Sequence, residues 1–150
     1  MITMSVEKLI TKIVNWGRLS SLWPVMIFNG CCDPEYMSLL CPRYDVERFG
    51  VAPAFSSRQA DLLIVLGVVT EKMGKRIKMI YDQMPEPKYV IAMGDCAISG
   101  GVFWDSDTVV KGVDKIVPVD VYVAGCPPRP EAFIEGIRKL QDKIRTRGLK

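Results

Sequence analysis

Asp61-Leu62-Leu63-Ile64-Val65-Leu66-Gly67 is a short, almost uninterrupted apolar run that ends in glycine. A strand with one solvated face alternates apolar and polar residues, whereas a strand covered by helices on both faces has no polar side. The run therefore predicts a buried strand of a parallel sheet. Further apolar, strand-like runs occupy residues 21–29, 88–93 and 119–123.

Segments with helical periodicity lie between and after these strands. Met73, Ile77, Ile80 and Met84 step by four, three and four residues, which is the spacing of one helix face, and Pro85 ends the pattern. The last helix begins near Pro130, and its apolar stripe consists of Phe133, Ile137, Leu140 and Ile144. The alternation predicts one domain spanning residues 1–150, an α/β fold with an open parallel sheet and helices on both faces.

The remaining segments have weaker patterns. Residues 33–40 fit a short helix, and residues between Arg43 and Arg58 fit a structured loop. Residues 94–101 fit a glycine-bearing loop, and residues 102–117 fit an excursion before the last strand.

The N-terminal segment 1–20 contains an amphipathic helix at residues 5–18. Val6, Leu9, Ile10, Ile13 and Val14 recur at helical spacing between charged residues. Core packing is the simpler interpretation of this apolar face. Docking on a partner is the alternative.

Composition excludes several classes of function. The formal charge of +3 is too small to indicate a nucleic-acid partner, and no apolar stretch is long enough to span a membrane. The first residues do not resemble a secretory signal, so a reducing compartment that preserves free thiols is expected. The chain has no histidine, which excludes Ser-His-Asp and Cys-His catalysis and every His-containing zinc site within this chain.

Basic residues crowd the C-terminal end of the chain. A solvated helix face and tail is the simpler interpretation, and contact with an acidic partner or an anionic membrane surface is the alternative. The residues are Arg138, Lys139, Lys143, Arg145, Arg147 and Lys150.

Four of the five cysteines follow predicted strands. Cys31 and Cys32 follow the first, Cys96 follows the 88–93 strand, and Cys126 follows the last. Because the carboxyl ends of parallel strands open on one edge, these thiols are expected to meet there. Four thiols at one edge can hold an iron–sulfur cluster.

Adjacent Cys31 and Cys32 favour a [4Fe–4S] cluster over zinc, because neighbouring thiolates can reach different irons but crowd a single ion. A zinc-stabilised interaction module, a thiol-redox or flavin-binding enzyme, and ordinary buried cysteines remain alternatives. Cys41, beside Pro42, is interpreted as a non-ligand.

Several residues around the cysteines suit a cluster. Small residues let backbone N–H groups approach sulfur, proline stiffens a ligand loop, and arginines favour the more negative reduced state. The residues expected in this environment are Gly30, Arg43, Arg58, Ser99, Gly100, Pro127 and Arg129.

Three motifs together resemble the cluster-bearing subunit of respiratory NADH–quinone oxidoreductase (complex I). The motifs are the cysteine doublet followed by Pro42-Arg43-Tyr44-Asp45 and Arg48-Phe49-Gly50, the segment Gly94 to Gly101, and the segment Pro118 to Glu131. The resemblance implies a flavodoxin-like fold and one [4Fe–4S] cluster ligated by Cys31, Cys32, Cys96 and Cys126. It also implies a peripheral position on the cytoplasmic side of the cell membrane. The implied partners are a subunit similar to the large subunit of [NiFe] hydrogenases, a ferredoxin-like two-cluster subunit and the subunits of a membrane arm that moves ions.

The segment Phe28-Asn29-Gly30-Cys31-Cys32-Asp33 departs from the complex I pattern. It also resembles small subunits of energy-converting [NiFe] hydrogenases, with Phe28 in the place of their first cysteine. This combination favours a ferredoxin-oxidising complex that reduces a sulfur compound such as sulfane sulfur or polysulfide. Quinone reduction by a complex I enzyme and proton reduction by a membrane hydrogenase are the alternatives, with NADH as the alternative donor.

Overall fold

The computed structural model describes residues 2–146, with side chains from Val6 onward. The strands among these residues are β1 (Pro24–Ile27), β2 (Leu62–Leu66), β3 (Tyr89–Met93) and β4 (Val121–Val123). The helices are α1 (Ile2–Ser20), α2 (Cys32–Leu39), α3 (Glu71–Gln83), α4 (Asp95–Ser99) and α5 (Pro130–Thr146). Short 3-10 turns occupy Val46–Phe49, Gly101–Phe103 and Val113–Lys115.

The strands form one parallel sheet in the order β1-β2-β3-β4. The outer edge of β1 has a further partner, because Val51 forms a parallel bridge with Leu22. The N–H of Ala52 donates to the Leu22 carbonyl and that of Ala54 to the Pro24 carbonyl. If this segment is counted as a strand, the order becomes the 2-1-3-4-5 of flavodoxin-like sheets, with the switch point between β1 and β2. The predicted open parallel sheet is confirmed.

Strand β2 is buried along its whole length, as its apolar run predicts. Leu62, Ile64 and Leu66 face one side of the sheet and pack in the same core as residues of α2 and α5. Leu63 and Val65 face the other side, where the core includes residues of α3 and α4. Helices therefore cover both faces, and this explains why the run has no polar alternation.

The prediction that residues 94–101 form a loop is wrong, because α4 occupies Asp95–Ser99. A glycine at positive φ lies at each end of this helix: Gly94 has a φ of 93° and Gly100 has a φ of 89°. The helix is barely more than one turn, too short for an apolar periodicity to appear in the sequence. The glycines that suggested a loop are therefore the start and stop of a helix.

Helix α1 packs against α5 but leaves its apolar row in solvent. Leu9, Ile13 and Trp16 are between 58% and 68% exposed, and Val6 and Ile10 are about half exposed. Asn15 and Leu19 lie on the inner side, and the Leu19 carbonyl accepts a hydrogen bond from Gln141 of α5. The core-packing interpretation is wrong for this row of side chains.

The basic residues of α5 lie on its solvated face, as predicted for the described part of the helix. Lys139 pairs with Glu135, and Arg145 pairs with Asp142. Exposed ion pairs of this kind contribute little to stability. Arg147 and Lys150 lie outside the described residues. Between residues 2 and 146, no helix is both long and apolar enough to cross a membrane.

Gly136 lets α5 approach β4 closely. A Cβ at this position would lie 2.6 Å from Cγ2 of Val123. We expect Gly136→Ala to lower the free energy of unfolding, because overpacking costs about 1–3 kcal/mol and the gain in helix propensity is about 1 kcal/mol. Chemical denaturation measures the change. Gly17→Ala is the control, because no described atom lies within 4 Å of its added Cβ and only the propensity gain applies. Equal stabilisation by both substitutions would contradict the packing argument.

Candidate metal centre

The four strand-end cysteines lie at the carboxyl edge of the sheet. Cys31 and Cys32 follow β1, and Cys32 begins α2. Cys96 lies in α4 directly after β3, and Cys126 lies between β4 and α5. All are free thiols; Cys32 and Cys96 are buried, whereas Cys31 and Cys126 are exposed.

Hydrogen bonds join the loops that carry Cys96 and Cys126. The N–H of Gly94 donates to the Val123 carbonyl at 2.8 Å, and the N–H of Asp95 donates to the Gly125 carbonyl at 3.0 Å. The carboxylate of Asp95 accepts in turn from the N–H of Gly125 at 2.8 Å. These bonds fix the two loops to each other one to three residues before each cysteine.

Gly94 also brings the Cys32 thiol against these loops. A Cβ at Gly94 would lie 2.6 Å from Sγ of Cys32 and 3.6 Å from the Gly125 carbonyl oxygen. Gly101 has the same relation to the Cys96 thiol, with a Cβ-to-Sγ distance of 2.9 Å. Glycine therefore leaves space around both buried sulfurs that any side chain would fill.

Backbone amides lie close to both buried sulfurs. The amide of Gly67, directly after β2, lowers the pKa of the Cys32 thiol, and its N–H donates to the Met93 carbonyl at 3.3 Å. The amide of Val102 lowers the pKa of the Cys96 thiol. Neither amide was among the residues predicted to surround the cysteines. Gly67 carried a signal, since it ends the β2 run, whereas no side-chain pattern could identify the amide of Val102.

The thiols also interact electrostatically. Burial is the main cause that raises the pKa of Cys32 to about 12, and negative charge on Cys31, a hydrogen bond with the Cys31 thiol and negative charge on Cys96 contribute to the same rise. Burial likewise raises the pKa of Cys96, and charge on Cys126 and on Cys31 adds to the effect. The thiolates of Cys32 and Cys96 are therefore disfavoured by charge on neighbouring cysteines. Cations at the centre would reverse this penalty, because metal ligation requires deprotonated thiols.

Within residues 6–146, no group of three or more His, Cys, Asp or Glu side chains has the arrangement to hold a metal ion. The side chains nevertheless supply four soft sulfur donors at the carboxyl edge of the sheet, two of them buried. Two buried polar atoms, Nδ2 of Asn29 and Oη of Tyr36, lack a hydrogen-bond partner among the described residues. Asn29 lies two residues before Cys31, and Tyr36 lies four residues after Cys32. The donor set, the space left by glycine and the unpartnered amide of Asn29 fit an iron–sulfur cluster.

The other small residues named from the sequence have local roles. The N–H of Gly30 donates to the Asp33 carboxylate at 2.9 Å, and the Ser99 hydroxyl donates to the carbonyl of Asp95 in its own helix. Gly100 ends α4, and its N–H donates to the Cys96 carbonyl. Pro127 is exposed directly after Cys126.

Of the three arginines predicted to lie near the cluster, Arg43 and Arg129 both lie near the carboxylate of Glu131 in α5. The backbone N–H of Glu131 is the main cause that lowers the pKa of its own carboxylate, and Tyr44, Arg129 and Arg43 lower it further. The Tyr44 hydroxyl donates to this carboxylate at 3.1 Å. Arg58 is exposed and has no hydrogen bond or ion pair within the described residues.

Cys41 is exposed beyond α2, and its thiol donates a weak hydrogen bond to the Met37 carbonyl at 3.7 Å. None of the charges that raise the pKa values of Cys32 and Cys96 comes from Cys41. This position agrees with its interpretation as a non-ligand.

Curated proteins similar to this chain are subunits of quinone oxidoreductases. NAD(P)H-quinone oxidoreductase subunit K of Synechococcus elongatus is 58% identical over 133 residues, covering 88% of this chain and 57% of that protein. Subunit K of a Nostoc species is 55% identical over 136 residues, covering 90% of this chain and 56% of the relative. The chain therefore spans a little over half the length of these curated relatives.

Two solved structures have a fold similar to that of this chain. A chain of the membrane-bound sulfane sulfur reductase, an archaeal respiratory membrane complex, superposes with a TM-score of 0.84 at 49% identity, covering 89% of this chain and 76% of that one. A chain of the Dm. baculatum [NiFeSe]-hydrogenase superposes with a TM-score of 0.59, covering 84% of this chain and 64% of that one. Its identity of 16% supports likeness of fold alone.

The family model of the 20 kDa subunit of NADH–ubiquinone oxidoreductase matches residues 30–140. This range includes Cys31, Cys32, Cys96 and Cys126. Together with the 58% identity to subunit K, the match shows that the chain belongs to the family of the 20 kDa subunit of NADH–ubiquinone oxidoreductase.

Proposed function

We propose that this chain is the electron-transfer subunit of a membrane-bound, complex I-like quinone oxidoreductase, in which Cys31, Cys32, Cys96 and Cys126 hold one [4Fe–4S] cluster. The observation that carries the proposal is the convergence of buried thiols on the glycines at the carboxyl edge, above all Cys32 Sγ against Gly94. Membership of a family known to bind such a cluster supports it.

When bound, the cluster supplies a site that accepts and releases one electron at a time. The protein's own residues do the rest. Cys32 and Cys96 bring two ligands into a buried setting, and the amides of Gly67 and Val102 stabilise negative charge on their sulfurs. The hydrogen bonds between Gly94, Asp95 and the loop of Gly125 hold the loops of Cys96 and Cys126 in a fixed relative position.

The quinone acceptor is favoured over the sulfur compound that the Phe28–Asp33 segment suggested. The relatives named as quinone oxidoreductase subunits are 54–58% identical to this chain, and the sulfane sulfur reductase chain is 49% identical. The TM-score of 0.84 to that reductase keeps sulfane sulfur reduction as the second candidate. Ferredoxin and NADH both remain candidate donors.

The partners proposed for the complex are those implied by the resemblance. They are a hydrogenase-large-subunit-like protein, a ferredoxin-like two-cluster subunit and membrane arm subunits, with this chain peripheral on the cytoplasmic side. The exposed apolar row of α1, which includes Leu9, Ile13 and Trp16, offers one surface for contact with them.

Anaerobic purification followed by iron, sulfide and zinc assays tests the cluster. We expect a brown protein, bleached by reductant, with about four irons and four sulfides per copy of this chain beyond those of partner subunits. One zinc per chain, or a yellow flavin, would instead support one of the alternatives. Reduction of a quinone analogue and of polysulfide by the purified complex then distinguishes the two acceptors.

A further inference from the structure

Asp95 places a carboxylate next to the loops of two proposed ligands. It directly precedes Cys96 in the chain, and its carboxylate accepts a hydrogen bond at 2.8 Å from the N–H of Gly125, the residue directly before Cys126. The N–H of Asp95 donates in the other direction, to the Gly125 carbonyl at 3.0 Å. The carboxylate is therefore held in one place beside both loops at the carboxyl edge of the sheet.

The negative charge of Asp95 has no cationic partner among residues 6–146. Its side chain is half-buried and forms no ion pair there with a lysine or an arginine. Salt screens a partly buried charge less than an exposed one. This charge acts on the neighbouring sulfur. Burial is the main cause that raises the pKa of Cys96, and the charge on Asp95 contributes to the rise together with the charges on Cys126 and Cys31.

The hydrogen bond to Gly125 does not by itself require a charged side chain. The side-chain oxygen of asparagine would accept the same bond without a negative charge. The carboxylate instead disfavours further negative charge on the nearby sulfurs. Reduction of an iron–sulfur centre adds negative charge, so a neighbouring anion without a cationic partner makes reduction less favourable.

We propose that Asp95 is a positioning residue that joins the loops of Cys96 and Cys126, and that its fixed negative charge lowers the reduction potential of the iron–sulfur centre. This inference rests on the proposed function, since it requires a cluster held by the four cysteines. A lower potential makes the centre a stronger reductant toward the acceptor of its electron. The charge and the hydrogen bond are separate properties of one side chain, so substitutions can remove them separately.

The test is a redox titration of the complex, purified anaerobically from a host carrying Asp95→Asn and followed by low-temperature electron paramagnetic resonance. Asparagine keeps the oxygen that accepts from Gly125 but removes the charge. We expect the cluster to be retained and its reduction equilibrium to shift about three- to tenfold toward the reduced state, a potential higher by roughly 30–60 mV for one electron. Asp95→Ala removes the hydrogen bond as well, so we expect a lower iron content in addition.

Asp82→Asn is the matched control, because it removes one negative charge from the exposed surface of α3, far along the chain from every candidate ligand. Its potential should equal that of the parent. If Asp95→Asn retains the cluster at an unchanged or lower potential, the inference is overturned while the proposed function stands. Full iron content in Asp95→Ala would contradict the positioning role.

A second neutral variant, Asp95→Ser, decides in the same way if Asp95→Asn holds no cluster. Loss of the cluster from both variants would also overturn the inference, because the carboxylate would then be needed to form the centre and not to tune it. Absence of a cluster from the parent itself would overturn the proposed function together with the inference.

Discussion

Cys126→Ser is expected to abolish the [4Fe–4S] signal of this chain or convert it to a three-iron signal. Serine keeps the size of the side chain but replaces a soft thiolate by a hard, weakly acidic hydroxyl that binds iron–sulfur centres poorly. Cys126 is exposed, so the substitution removes little packing and its effect on the cluster is separable from an effect on the fold. Electron paramagnetic resonance and iron content of the purified complex measure the outcome.

Cys41→Ser is the control for this experiment. Cys41 is also an exposed thiol, but it lies beyond α2 and outside the interacting set of Cys31, Cys32, Cys96 and Cys126. The Cys41→Ser complex should therefore keep its full iron content and signal. An unaltered spectrum in Cys126→Ser, or a lost cluster in Cys41→Ser, would show that the ligands are assigned wrongly.

Gly94→Ala should have the second large effect, loss of most of the cluster together with lower stability. The added Cβ would meet the Cys32 sulfur at 2.6 Å, and alanine at a φ of 93° is strained. Backbone strain and overpacking each cost about 1–3 kcal/mol. The least costly relief is movement of the Cys32 sulfur, which is a proposed ligand. Iron content and thermal unfolding report the two parts of the effect.

Comparison with Gly30→Ala separates the effect of backbone strain from the effect of the contact between the added Cβ and the Cys32 sulfur. Gly30 also has a positive φ, 148°, but no described atom lies within 4 Å of the Cβ that alanine would add. We expect Gly30→Ala to destabilise the protein less and to retain more of the cluster than Gly94→Ala. Equal loss of iron in both variants would mean that the contact between the added Cβ and Cys32 Sγ does not cause the loss of the cluster in Gly94→Ala.

The sequence was sufficient to predict the sheet and the edge at which the cysteines meet. The apolar composition of strands such as β2 and β3 indicates that they are fully buried, because a strand covered on both faces has no place for a polar residue. Parallel strands then place Cys96 and Cys126 at one edge by topology alone. This part of the site depends on chain order and requires no knowledge of side-chain packing.

Other features depend on tertiary contacts and could not be predicted in this way. The amide of Val102 lowers the pKa of Cys96, which lies in α4 between two glycines, and a backbone amide leaves no trace in residue type. The apolar row of α1 has the periodicity of a core helix, yet α5 covers its other side. Periodicity identifies an apolar face but does not say whether this chain or another one covers it.

The high pKa of Cys32 has a consequence for how the protein matures. Oxidants and electrophiles react with thiolates, so the protonated Cys32 thiol is unreactive in a newly made chain. Iron must displace that proton to bind, and assembly of the centre therefore releases acid and becomes easier as the pH rises. The burial that protects the newly made chain from damage also extends this pH dependence to a higher pH than an ordinary thiol would show.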